Sequence, residues 1–216
     1  MNVNSEAGPP AIVWAMAIAF ALIELLFQLG VTGLEYRYEA VTRFAFFDLY
    51  FNEFVAGRPV PFEFWISFLT YGFLHGGVLH LVMNGAIFLV LGGMLANTLG
   101  SGRFLALFLF SSAMGALAWG LMFSGDTAAH LVGASGAIFG FIGALKRWEW
   151  RYIALTGASS RRFWGTIGAL ILLNLLLALA GPGGVDVAWQ AHFGGFIGGW
   201  LIAPLIAPGR AGPSPI

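Results

Sequence analysis

Long apolar runs separated by short polar stretches dominate the chain, and they predict helices over residues 11–30, 74–95, 104–123, 131–145, 163–180 and 187–207. Five of these approach the roughly 20 residues, at about 1.5 Å each, that cross a bilayer core. The fourth does not: residues 131–145 number only 15 before Lys146 and Arg147. A helix ending at that charged anchor cannot reach the far surface. Its N-terminus is expected inside the membrane with Ser135 in its first turn, where irregular backbone is tolerated only against protein or a water-filled cavity. The rest of the chain is arranged around this stretch.

The intervening segments are of unequal character. Residues 1–10 form a short polar tail ending in Pro9-Pro10, and the C-terminal tail, with Pro208, Arg210, Pro213 and Pro215, reads as disordered. Residues 31–64 are the one long non-spanning stretch. They mix charges (Arg37, Asp48, Glu53, Arg58) with many aromatics (Tyr36, Tyr38, Phe46, Phe51, Phe54), which predicts a folded loop half-sunk in the outer leaflet. With both termini cytosolic, Arg103, Lys146, Arg147, Arg151, Arg161, Arg162 and Arg210 lie inside, seven of the ten Lys and Arg. Six spans with both ends inside is therefore the consistent topology, and the bacterial inner (plasma) membrane is the expected location.

Composition narrows the class further. The 216 residues are 59% hydrophobic and 9% charged, with mean hydropathy +0.84, which marks an integral membrane protein. There are no cysteines, which excludes disulfides, thiolate metal sites and cysteine catalysis. Net charge is zero, and no basic patch interleaved with aromatics suggests a nucleic-acid partner. No Lys or Arg precedes the first apolar run, so that span is expected to be retained. His75 and His80 miss the i, i+4 spacing of a helical metal site, and no metal or cofactor is expected. No internal repeat is visible, so a single domain over 1–216, with its core at about 11–207, is expected.

Polar residues inside the spans carry the chemical signal. Glu24 and Gln28 share a helix face, and the acid is read as a structural group turned into the bundle. His80 and Asn84 are also i and i+4, Ser135 opens the fourth helix, and His192 lies near the outer start of the sixth. Gly136 and Gly140 on the fourth helix and Gly195 and Gly199 on the sixth allow close backbone approach. Because His192 shares the Gly195/Gly199 stripe, that approach brings it over Ser135. An imidazole in reach can take the proton of a serine hydroxyl and make it a nucleophile. The free N–H groups of a helix start can hold an oxyanion, with His80 and Asn84 as further donors. Phe139, one turn after Ser135, can stack on the histidine ring or simply pack. No carboxylate is placed to orient His192, so the expectation is a dyad.

At this point the chain resembles the rhomboid family of intramembrane serine proteases. The resemblance rests on three motifs in order: His80-Leu81-Val82-Met83-Asn84, Gly133-Ala134-Ser135-Gly136, and Ala191-His192-Phe193-Gly194-Gly195 with Gly199. It implies an all-α six-helix membrane bundle with a short central fourth helix, cleaving transmembrane protein substrates in or near the bilayer. It makes Ser135 the nucleophile and His192 the base. It assigns the oxyanion hole to His80, Asn84 and the Ser135 N–H, and gives His75 a part in holding a water. The chain departs from the family pattern in three places. Ile66 and Ser67 replace a Trp-Arg pair, an acid near Ala96-Asn97 is missing, and Phe139 stands for a tyrosine.

Two other readings compete with a protease. A non-cleaving relative that only binds transmembrane helices would have no need of Ser135, His192, His80 and Asn84 together. A transporter using the same histidines as a polar path would leave the fourth helix unexplained and lacks an inverted repeat. Water must reach Ser135, from above near Asp186 or sideways past the fifth helix. The natural substrate and the oligomeric state are left open by the sequence.

Overall fold

The structure, a computed structural model, describes residues 8–28, 33–122, 129–179 and 188–207. The expected tail over 1–7, the expected C-terminal tail from Pro208, most of the loop at 124–130 and the loop at Asp186 lie outside the described residues.

The first span is α1 (Ala11–Gln28). The half-embedded loop expected over 31–64 resolves into α2 (Gly33–Phe44), the short strand β1 (Phe46–Phe47), α3 (Asp48–Val55) and the start of α4 (Phe62–Thr70). Next come a 3-10 turn at Tyr71–Phe73, then α5 (Val78–Ile87), a π turn (Phe88–Gly92) and α6 (Gly93–Leu99). These last three make one continuous span, beginning four residues later than the expected start near Leu74 because Gly76-Gly77 interrupt the helical run. Then follow α7 (Ser101–Met122), β2 (His130–Leu131), α8 (Ser135–Thr156), α9 (Arg161–Leu179) and α10 (Trp189–Ile206). The strands β1 and β2 pair antiparallel, Phe46 opposite Leu131, and tie the first loop to the segment entering α8.

Three helices among the described residues are long and apolar enough to cross a membrane: Ala11–Gln28, Val78–Leu99 and Ser101–Met122. α8 misses that measure because Lys146, Arg147, Glu149 and Arg151 crowd its second half, and α10 because four glycines, Gln190 and His192 dilute its hydropathy.

One expectation needs correction. The fourth apolar helix is not short as a helix, since α8 runs 22 residues to Thr156 and passes straight through Lys146 and Arg147. Charges mark where a helix leaves hydrocarbon, not where its backbone bonds stop. Trp148, Glu149, Trp150, Arg151 and Tyr152 include no helix breaker. The Lys146 ammonium donates to Glu149 Oε2 at 2.6 Å, and the Trp148 indole N–H to the Ala203 carbonyl at 3.1 Å. The helix ends where Gly157 takes φ +70° and its N–H returns to the Ile153 carbonyl, the left-handed C-terminal position that glycine fills without strain.

The centre of the molecule is a near-backbone contact of α7, α8 and α10. A Cβ on Gly195 would run into the Gly136 carbonyl oxygen, one on Gly199 into that of Gly140, and one on Gly143 into that of Phe196. A Cβ on Gly194 would meet the Met114 carbonyl oxygen of α7. Small residues on successive turns thus let the three backbones touch, the packing expected where hydrocarbon solvent supplies no hydrophobic drive. Around this centre lies an aromatic core of Phe20, Phe88, Phe104, Phe108 and Phe141, all fully buried. A second cluster, with Phe46, Phe51, Phe64, Tyr71 and Trp119, roots the first loop.

Candidate active site

Ser135 is the first residue of α8, preceded by Ala134 in helical conformation with no side-chain cap. The N–H groups of a helix's first turn have no intrahelical acceptor, so this end presents free donors. Gly133 makes the entry possible. Its φ of +114° is one that side chains rarely adopt, and its N–H is anchored on the Tyr71 carbonyl at 3.0 Å.

His192, buried on the first turn of α10, reaches this helix start across the glycine contact. Its Nε2 lies 2.9 Å from Ser135 Oγ, within the range for proton transfer between hydroxyl and imidazole. Its ring is stacked on Phe139 at 4.2 Å between centroids and 5° between planes.

His80 and Asn84, one turn apart on α5, face the same place from the other side. His80 Nδ1 accepts the Gly76 N–H at 3.2 Å, which assigns the ring proton to Nε2. That Nε2 lies 2.7 Å, and Asn84 Nδ2 3.9 Å, from where a Gly133 Cβ would stand. Two side-chain donors and the α8 N-terminus therefore border one small space beside the serine. Asn84 Nδ2 also donates to the His80 carbonyl at 3.0 Å, which fixes its amide.

His75 stands apart from the Ser135–His192 pair. It is buried just before α5, tilted against His80 at 5.3 Å between centroids and against Phe20 at 5.5 Å. Among the described residues both of its ring nitrogens are without a hydrogen-bond partner. Glu24 serves the scaffold. It is buried, and its two oxygens accept from Arg37 Nη2 at 2.7 and 2.8 Å and from Gln28 at 2.8 Å, which ties α1 to α2.

One residue at the site is unannounced by any sequence motif. Asn174 of α9 accepts at Oδ1 from His192 Nδ1 at 2.6 Å. A lone asparagine inside Leu170-Ile171-Leu172-Leu173-Asn174-Leu175-Leu176 was the available signal. Next to it, α8, α9 and α10 line a half-open cavity of about 520 Å³ bordered by Phe139, Ile167, Leu170, His192, Phe193 and Phe196 among others.

Long apolar spans packed around a serine and a histidine paired inside the bundle define an integral, multi-pass membrane protein. The sequence matches the family model of the Rhomboid domain over residues 62–209. The chain belongs to the rhomboid family. It is similar to rhomboid protease GluP of Bacillus subtilis (strain 168), with 35% identity over 149 residues, 68% of this chain and 27% of that protein. It is 32% identical to rhomboid protease GlpG of Photorhabdus laumondii over 146 residues, 65% of this chain and 47% of that one. With RHOMBOID-like protein 4 of Arabidopsis thaliana it shares 35% over 135 residues, 62% of this chain and 32% of the relative. The matched segment thus spans between about a quarter and about half of each relative's length.

Proposed function

We propose that this protein is an intramembrane serine endopeptidase that cleaves transmembrane protein substrates within or near the bilayer. The observation that carries the reading is the 2.9 Å approach of His192 Nε2 to Ser135 Oγ at a helix start. His192 takes the hydroxyl proton as Ser135 attacks the scissile carbonyl, then returns it to the leaving amine, and water resolves the acyl-enzyme by the same route. The developing oxyanion is held by the Ser135 N–H, His80 Nε2–H and Asn84 Nδ2–H, each such donor contributing about 2.7–4 kcal/mol in a preorganised site. Gly133, Ala134 and Gly136 shape the helix start, Gly195 and Gly199 bring α10 to it, and Phe139 steadies the imidazole. His75 holds a water near His80. The chain forms one domain of six membrane crossings, with α8 to α10 completing the count and both termini cytosolic.

The test is cleavage of a labelled model transmembrane substrate by purified protein in detergent or lipid. Ser135→Ala and His192→Ala are expected to lower the rate at least about 10³-fold, and a fluorophosphonate is expected to label Ser135. Cleavage by Ser135→Ala at the native rate would refute the assignment. Failure of the native protein to cleave a broad panel or to take the probe would favour a helix-binding role without hydrolysis.

A further inference from the structure

We infer that Asn174 is a positioning residue for the proposed base, fixing the tautomer of His192 and making it depend on where α9 sits. The inference rests on the Ser135–His192 reading for its catalytic consequence, but its structural content stands separately.

The geometry around the amide is specific. Asn174 Nδ2 donates to the Leu170 carbonyl at 2.9 Å, the residue one turn earlier on the same helix. That bond settles which end of the amide points outward: Oδ1, an acceptor only, faces His192 Nδ1 at 2.6 Å. A ring nitrogen opposite an acceptor carries the proton. His192 is therefore the Nδ1–H tautomer, and its Nε2 lone pair faces the Ser135 hydroxyl. The opposite tautomer would set a lone pair against Oδ1 and leave no base facing Ser135. A neutral amide thus supplies the orienting contact that the sequence, without a carboxylate in view, leaves unassigned.

The contact also belongs to the exposed half of α9, whose start is seated by the buried Phe163 against Trp150 and Trp200. Of residues 171–176, only Asn174 is not exposed, and Ile171, Leu172, Leu173, Leu175 and Leu176 are between 48% and 64% exposed. The neighbouring cavity lies between α9 and α10, with Leu170, Asn174 and His192 on its wall. Displacing α9 to widen that cavity stretches a bond already formed at 2.6 Å. The tautomeric lock on His192 is then released together with the opening.

The test reads the tautomer directly. Protein labelled with 15N-histidine in detergent micelles is examined by two-bond 15N–1H correlation, with the His192 signals assigned by comparison with His192→Ala. The native spectrum is expected to show Nδ1 protonated and Nε2 bare. In Asn174→Leu the tautomers are expected to mix. On a transmembrane substrate kcat is expected to fall about tenfold with KM held, the scale of one net hydrogen bond lost. Asn174→Asp, which keeps an acceptor at the same place, is expected to restore the Nδ1–H form and most of kcat. A native ring protonated at Nε2, an unchanged tautomer in Asn174→Leu, or a loss of kcat without a tautomer change would each overturn the inference. Because the native tautomer is read without turnover, the inference can fail while the protease reading stands, or survive if no substrate is cleaved.

Discussion

Phe139 and His192 lie face to face, 4.2 Å between ring centroids and 5° from parallel. Since Phe139 is one helical turn beyond Ser135, a single rigid element carries both the hydroxyl and the surface against which the imidazole rests. Offset or stacked aromatic contact contributes about 0.5–1.5 kcal/mol beyond burial. Phe139→Leu is therefore expected to slow fluorophosphonate labelling of Ser135 about two- to tenfold, while Phe139→Tyr, which keeps the ring, stays near the native rate. Labelling time courses check this, and equal rates for both variants would remove stacking from the account.

Gly199 offers the sharpest packing test. A methyl there would strike the Gly140 carbonyl oxygen and come within 2.7 Å of the Gly140 Cα, and backbone on both sides cannot swing aside. Gly199→Ala is expected to cost about 1–3 kcal/mol, the range for overpacking, and to lower activity by parting α8 from α10. Gly168 of α9 has open space around its Cβ position, so Gly168→Ala is expected to be neutral or to stabilise by up to about 1 kcal/mol. Thermal unfolding in one detergent compares the two. A Gly199→Ala protein as stable as Gly168→Ala would mean the helices are not in backbone contact.

How much of this was legible in the sequence differs from residue to residue. His80 and Asn84 were readable as a pair because i and i+4 fix a shared face whatever the fold. The glycines of α8 and α10 were readable as an approach because their spacing is a contact pattern in itself. Asn174 carried no such pattern. Its partner lies on another helix at no set spacing, and only the seating of α9 against α10 brings Oδ1 to His192. The end of α8 lies beyond the point the apolar pattern predicts, because Lys146 and Arg147 mark only the edge of the apolar part and do not stop the helix. The short helices of the first loop were hidden for a related reason. The apolar faces of α3 and α4 pack into the Phe46 and Phe64 cluster, a tertiary arrangement that local periodicity over eight or nine residues does not specify.

Arg37 and Glu24 make a buried ion pair whose halves are expected to behave unequally. Glu24 is almost wholly enclosed, whereas about a third of the Arg37 side chain stays exposed. Arg37→Leu leaves an uncompensated carboxylate inside the bundle, a change that costs up to about 3–5 kcal/mol, less whatever water still reaches the arginine position. Adding Glu24→Leu to Arg37→Leu removes the charge and is expected to recover most of the loss. Unfolding midpoints of the two variants decide it, and additive losses would show that the pair is not the coupled unit.

Asp48, at the first position of α3 in the loop outside the spans, is expected to shape the pH dependence of stability. Burial raises its pKa from the ordinary carboxylate value, against the lowering effect of the Leu49 and Ala129 backbone, and Oδ1 is buried without a hydrogen-bond partner among the described residues. The sign follows from linkage: a carboxyl whose folded pKa exceeds its unfolded one favours the fold while protonated. That contribution is lost as pH rises from the unfolded carboxylate pKa through the raised folded value. The Asp48 contribution should therefore fall over that interval, and Asp48→Asn, which has no proton to release, should gain stability relative to the native protein as pH rises. Unfolding midpoints taken between about pH 4 and pH 8 check this. A stability difference between Asp48→Asn and the native protein that stays constant across the interval would assign the dependence to other groups.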